Sequence, residues 1–268
     1  MYIKNSVIEA QDDLVAFSFT EKNLKYLLEE KILAIRIPNF ISKEICNFSA
    51  KKILDRSDKG YFNKAKEIGR IGLAHFEVNS IEKFNEYHDN ALKNTERLRD
   101  IFDPYLSPID KLRLKLEEVW PAGAGLEILY GRKCFVGICR IIDPSVSLLA
   151  HNDRLDRDSP DSYQAASLLG QLSANIFVQV PDHGGGLLLW DKGPSSEEEY
   201  IKLKNGKYGI QHEVLGDPAL TIHPTQGDLV IFNTRKYHGV APGVGASRIN
   251  VGMFIGYKGN SSPLFRKK

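Results

Sequence analysis

Residues 223–251 read HPTQGDLVIFNTRKYHGVAPGVGASRINV, and residues 147–153 read SLLAHND. A short apolar run between turn formers is the pattern of a buried strand. DLVIFN (228–233) and SLLAHND fit it, and SRINVGMFIGY (247–257) alternates as a strand does. Residues two apart on a strand project to one face. His151 and Asp153 therefore converge on one point, with Asn152 turned away. His238 follows the strand 228–233, where a neighbouring strand can present it to the same point; Arg248 comes ten residues later.

The same strand pattern recurs at 125–130, 134–142, 173–180, 186–190 and 219–224. Eight short strands separated by turn residues predict a sandwich, barrel or jelly roll. Before residue 120 the periodicity is helical. Thr20 is placed to cap a helix over 20–30, and Ser42 one over 42–54 with Ile45, Phe48 and Ile53 near one face. A strand at 32–40 ends at Pro38, and 57–77 reads as irregular. A long amphipathic helix is expected over 80–102, with His88 on its solvated face, and a shorter one over 108–119. The polar stretches 154–166 and 191–208 read as solvated connections long enough to include active-site lids.

Singly, these chemical fragments are weak. Most His-x-Asp triplets are surface accidents, and a lone His after a strand is more often structural than a ligand. Together they are specific. Two His and one carboxylate make the facial triad of non-haem Fe(II) oxygenases, which leaves metal positions open. The Arg guanidinium is a fork that holds a carboxylate bidentately. Of the other histidines, His183 reads as turn polarity, His223 as structural and His212 as exposed.

The half of the chain from about residue 125 to 257 resembles the Fe(II)/2-oxoglutarate-dependent dioxygenases with a double-stranded β-helix core. The residues that carry the resemblance are HND at 151–153, GGGLLLW at 184–190, and the cadence from P-x-x-G-D (224–228) through His238 to Arg248. The resemblance implies a mainly β fold with N-terminal helices, a distorted double-stranded β-helix (jelly roll, cupin-like). It implies His151, Asp153 and His238 as iron ligands and Arg248 as partner of the 2-oxoglutarate distal carboxylate. Family members often carry Ser or Thr two residues after this Arg; here Asn250 stands there, on the face of Arg248. The implied cofactors are Fe(II), 2-oxoglutarate as co-substrate and O2. The implied reaction inserts oxygen into an unactivated C–H bond and releases succinate and CO2. Related halogenases have Gly or Ala where Asp153 stands, so the carboxylate implies hydroxylation.

The whole-chain layout is similar to the carrier-independent halogenases and hydroxylases of free amino acids, including lysine. That implies a free amino acid as substrate, with L-lysine as the specific expectation. Candidate substrate residues are Arg70, His75, Arg154 and Asp156, with Arg157 and Asp158 close by and Trp190 as a candidate wall of the co-substrate pocket. For each, a surface, capping or core role is the competing reading. Two alternatives stay open: the same chemistry on another small metabolite, such as an N-substituted amino acid, and a non-catalytic β-helix module that has kept its metal site. The expected layout is a single dioxygenase domain over 1–268. It divides into a helical buttress and lid region (1–120), the β-helix core (121–258) and a tail (259–268).

Composition narrows the classes. The chain has 268 residues, 36 Lys plus Arg against 34 Asp plus Glu, and a net charge of +2. That balance argues against nucleic acid as a partner. No apolar run approaches a membrane span, and MYIKNSVIEAQDDL lacks the apolar core of a secretory signal. The three cysteines lack a CxxC spacing, so a disulfide framework and a cysteine zinc site are not expected. A cytoplasmic monomer or homodimer with reduced, buried thiols is the expectation.

Overall fold

The computed structural model describes residues 12–267. Most of the N-terminal stretch read for a secretory signal, through Gln11, lies outside the described residues. Helix α1 (Glu21–Leu28) starts where Thr20 accepts the Asn23 N–H, at 3.3 Å. Strand β1 (Ala34–Ile37) follows. Helix α2 (Lys43–Asp55) starts where Ser42 accepts the Ile45 N–H. Its buried face is Cys46, Ser49, Ala50 and Ile53; Ile45 and Phe48 are only half-buried.

The stretch expected to be irregular contains two short strands, β2 (Gly60–Tyr61) and β3 (Ile68–Ile71). The expected long helix is two helices, α3 (Ile81–Asp89) and α4 (Ala91–Phe102). They break at Asn90, whose side-chain amide donates to the Glu86 carbonyl at 2.8 Å and so competes with continued helix. His88 is not solvated but buried, with Nδ1 3.1 Å from the Lys133 carbonyl. Helix α5 (Pro108–Val119) has Pro in its first turn, where a missing N–H costs nothing.

Apart from two-residue strands, there follow β4 (Ala124–Leu126), β5 (Ile138–Ile142), β6 (Leu148–His151), β7 (Gly170–Gln179) and β8 (Leu187–Leu189). Helix α6 (Glu197–Lys204) precedes β9 (Leu220–Ile222), β10 (Leu229–Asn233), β11 (His238–Val240), β12 (Arg248–Tyr257) and β13 (Leu264–Lys267). A large sheet of ten strands runs from Val15–Ala16 through β1, β10, β7, β12, β5 and β3 to β2. Strand β13, in the segment expected as a tail, pairs with β12 and carries β4. A small sheet has the order β9-β8-β11-β6. The fold is the expected jelly roll.

Alternation on the central strands separates two environments. On β7, Leu172, Ala174, Ile176 and Val178 join the core shared with α1, α2, α4 and α5; on β12, Ile249, Val251, Met253 and Ile255 do the same. The opposite faces carry Ser173 and Asn175 on β7, and Arg248 and Asn250 on β12. They look toward the small sheet, which seals its own end with Leu187, Leu189, Leu220 and Ile222 against Phe177, Val230 and Phe232. The three cysteines are buried and free, and burial pushes their thiols up to about 11 for Cys46 and about 12 for Cys134 and Cys139.

The P-x-x-G-D segment is a structural clamp. Asp228 is fully buried and accepts from Thr225 N–H and Oγ1, both at 2.9 Å, and from Arg36 Nε at 2.8 Å. Gly227 has φ +93°, and a Cβ there would lie 2.4 Å from the Ile41 carbonyl oxygen. Asp228→Ala strips Arg36 and Thr225 of their partner. We expect a loss of about 3 kcal/mol, measured by urea unfolding as a lower midpoint with an unchanged slope.

Candidate active site

His151 ends β6 and His238 begins β11, and the two are paired across the strands. Their ring centroids are 4.3 Å apart. Each Nδ1 faces a carbonyl two residues earlier, Leu149 at 2.8 Å and Lys236 at 3.1 Å. A carbonyl only accepts, so Nδ1 carries the proton and Nε2 presents its lone pair. Strand β6 stops before Asp153, so the loop backbone places this residue. Its N–H donates to the Thr234 carbonyl at 2.9 Å, and its carbonyl accepts from Thr234 Oγ1 at 3.1 Å.

Asp153 Oδ2 lies 3.3 Å from His238 Nε2 and 3.9 Å from His151 Nε2. Ligand atoms about 2.1 Å from one ion and at right angles lie about 3 Å apart. The three groups could hold one metal ion, and they are the only such cluster among the described residues. Burial opposes ionisation of Asp153, but His151, His238 and Arg140 outweigh it and hold the carboxylate well below its usual range. Burial and the neighbouring His238 pull His151 down to about 4, which leaves a neutral ring with a free lone pair at neutral pH.

Two cavities meet at this triad. The inner one lies between the sheets and is walled by Arg248, Asn250, Asn175 and Ser173. Arg248 is buried, its guanidinium 4.9 Å from the Phe177 ring centre, and one terminal nitrogen donates to the Gly185 carbonyl at 2.8 Å. Its Nε is buried without a partner. Burial and then Arg140 pull its pKa down to about 9, the mark of a cation lacking a counter-anion. Asn250 donates to Asn175 Oδ1 at 2.8 Å.

The outer cavity is about 190 Å³. Its apolar wall includes Phe62, Ile68, Phe76 and Leu148, and its charged groups are Lys64, Arg140, Arg157, Lys204, Asp153 and Asp158. Arg140 borders both cavities, and its guanidinium has no hydrogen-bond partner among the described residues. Arg157 donates to the Asn152 side chain at 2.9 Å and carbonyl at 2.6 Å, and lies over the Tyr200 ring of α6. Asp158 sits in a single helical turn, Leu155–Asp158, and burial pushes its carboxyl up to about 6.

The structure brings together His151, Asp153, His238, Arg248 and Asn250. Arg157 and Asp158, named beside the substrate candidates, line the outer cavity, whereas Arg70, His75, Arg154, Asp156 and Trp190 lie outside both linings. Arg70 pairs with Glu77 at 3.0 Å, beside Phe62. Arg154 and Asp156 pair with each other. Trp190 is core: it donates to the Gly216 carbonyl at 2.8 Å and packs beside His212. His212 is half-buried rather than exposed, 2.9 Å from the Leu148 carbonyl, and His223 is exposed. His75 is buried against Tyr87 with both ring nitrogens unpartnered. Sequence reasoning passed over Arg140, although a lone charge inside CFVGICRII is a readable signal. It also passed over Tyr200 and Lys204, which sit one helical turn apart in a stretch read as solvated.

A jelly roll that aims two imidazoles and a carboxylate at one point, with a buried arginine behind them, is the architecture of the Fe(II)/2-oxoglutarate dioxygenase superfamily. Within it, the family described as carrier-protein-independent halogenase WelO5 matches residues 18–265, and the chain belongs to that family. It is 30% identical over 152 residues to the L-gamma-glutamyl-L-propargylglycine hydroxylase of Streptantibioticus cattleyicolor. That match covers 55% of this chain and spans only 55% of the hydroxylase's length. It is 25% identical over 205 residues to leucinostatins biosynthesis cluster protein S of Purpureocillium lilacinum, covering 73% of this chain and 82% of that protein. A solved N-substituted L-amino acid dioxygenase from Burkholderia ambifaria shares the fold at TM-score 0.61 and 16% identity, over 91% of this chain and 90% of that one. Among the described residues, no helix is long and apolar enough to cross a membrane.

His75 yields a prediction about stability. Burial, then Lys267 and His88, lower its pKa from 6.5 to about 3, so the unfolded chain takes the proton first. Its contribution is present above about pH 6.5 and is lost at roughly 1.4 kcal/mol per pH unit as pH falls towards the folded value. Urea unfolding of His75→Phe between pH 7 and pH 5 should show a pH dependence flatter than the parent's by about 2 kcal/mol.

Proposed function

We propose that this chain is an Fe(II)- and 2-oxoglutarate-dependent hydroxylase of an amino-acid-type substrate. The observation that carries the reading is the Asp153 carboxylate, set against two imidazoles whose lone pairs are freed by their own backbone bonds. His151, Asp153 and His238 would hold the iron. The orphaned Nε of Arg248 is evidence of fit, because a buried guanidinium without a counter-anion suits a dicarboxylate. Arg248 would take its distal carboxylate, and Arg140 stands between the two cavities. Fe(II), once bound, supplies the chemistry of oxygenation at C–H with O2, as 2-oxoglutarate leaves as succinate and CO2.

The protein's own part is positioning. The pinned backbone of Asp153 keeps the third ligand in place, so no position is left for chloride, and this favours hydroxylation within a family that includes halogenases. The outer cavity would orient the substrate over the triad, with Tyr200 and Lys204 of α6 in its lining. Amino-acid substrates are supported by the named activity of the hydroxylase relative. Free L-lysine and an N-substituted amino acid remain the two specific candidates.

The test is iron-dependent succinate formation, with mass spectrometry for a gain of one oxygen, across free and substituted amino acids. Asp153→Gly should lower hydroxylation by at least roughly a hundred-fold; a variant hydroxylating at the parent rate would falsify the ligand assignment. Arg248→Met should raise the KM for 2-oxoglutarate roughly ten- to hundred-fold. Absence of iron-dependent turnover in the parent would leave the non-catalytic module standing.

A further inference from the structure

The outer cavity has an unbalanced charge. Its lining holds four cations, Lys64, Arg140, Arg157 and Lys204, against two carboxylates, Asp153 and Asp158. Asp153 belongs to the metal cluster. Fe(II) and a 2-oxoglutarate dianion would cancel one another and leave the excess in place. Arg157 has a partial counter-anion in Glu197 at 3.8 Å. Among the described residues, neither the Lys64 nor the Lys204 ammonium has a hydrogen bond or ion pair; Lys204 lies over the Tyr200 ring at 4.7 Å. These cations are close enough to feel one another: burial first, then Arg157 and Lys64, hold Lys204 below its ordinary value. The groove that continues outward from Lys64 and Lys204 adds Lys207 and a single carboxylate, Glu67. The same lining carries the apolar side chains of Phe62, Ile68 and Phe76.

We propose that the cavity takes an amino-acid derivative bearing a second carboxylate at the end of an apolar spacer, seated with that carboxylate between Lys64 and Lys204. This rests on the hydroxylase reading above and chooses within it. Free lysine brings two ammonium groups to a cavity that offers one uncommitted carboxyl, the half-buried Asp158, against four cations. An extended dicarboxylate instead places its spacer on the aromatic wall and its anion where two ammonium groups lack partners. A charge-assisted hydrogen bond from the half-buried Lys204 and one from the exposed Lys64 are together worth a factor of roughly ten in affinity.

The experiment uses the full chain with Fe(II), ascorbate and 2-oxoglutarate and compares N-glutaryl-L-leucine with N-pentanoyl-L-leucine, which differ only in carboxylate against methyl. Free L-lysine is the third arm. Substrate-dependent succinate formation should give the glutaryl compound a kcat/KM at least roughly ten-fold above the pentanoyl compound, mostly through KM, with lysine lowest. The Lys64→Glu/Lys204→Glu double variant should reverse the order, favouring N-(5-aminopentanoyl)-L-leucine over the glutaryl compound; a merely misfolded variant would favour neither. Equal or lower kcat/KM for the glutaryl compound in the parent, or no coupled turnover with either of the pair, overturns the proposal. Iron-dependent 2-oxoglutarate consumption without substrate separates the two failures. If it persists, only the substrate class falls; if it is absent under every condition, the reaction falls with it.

Discussion

The antiparallel pairing of β7 with β12 is the constraint on which the rest depends. Both strands run for ten residues through the centre of the large sheet. Their period of two sends Leu, Ile, Val and Met into the helical layer and Ser, Asn and Arg toward the small sheet. A slip of one residue would turn Arg248 into the helical core and expose Ile249 to the cavity. The apolar burial that stabilises the fold therefore also fixes the polar face of the site. Helices α1, α2, α4 and α5 matter to the site mainly by making that register unambiguous.

The small sheet adds the second half of the arrangement. Cross-strand pairing of His151 with His238 brings residues far apart in sequence side by side. Each imidazole bonds the carbonyl two residues before it, which settles which nitrogen is free. Thr234, just past β10, ties Asp153 to the large sheet. The His–Asp–His cluster is thereby held by both layers.

Much of this was legible in the sequence, for local reasons. Thr20, Ser42 and Pro108 mark helix starts because each solves a hydrogen-bonding problem at that place. The His-x-Asp, His and Arg cadence was legible because each element sits at a strand end. What escaped was set by tertiary packing. Asn90 breaks a helix that periodicity alone would continue. The strands β2, β3 and β13 are short, and neighbours in the sheet rather than their own pattern define them. His75, Arg70 and Trp190 look functional by residue type, but buried neighbours claim them. Lys64, Arg157 and Lys204 are ordinary surface charges in the sequence and become a group only when α6 and the β2–β3 segment close over one cavity.

The buried thiols bear on how long such a protein would survive its own chemistry. Iron, O2 and a reductant generate peroxide, and the usual target is a thiolate. Cys46, Cys134 and Cys139 are shut into the helical side of the large sheet, and burial keeps each protonated at any physiological pH. Their sulfurs are shielded both sterically and by charge state. If the proposed oxygenase reaction holds, the lifetime of the protein would be set by damage at the His–Asp–His cluster and the aromatic cavity wall, and added thiol reductant would do little to extend it.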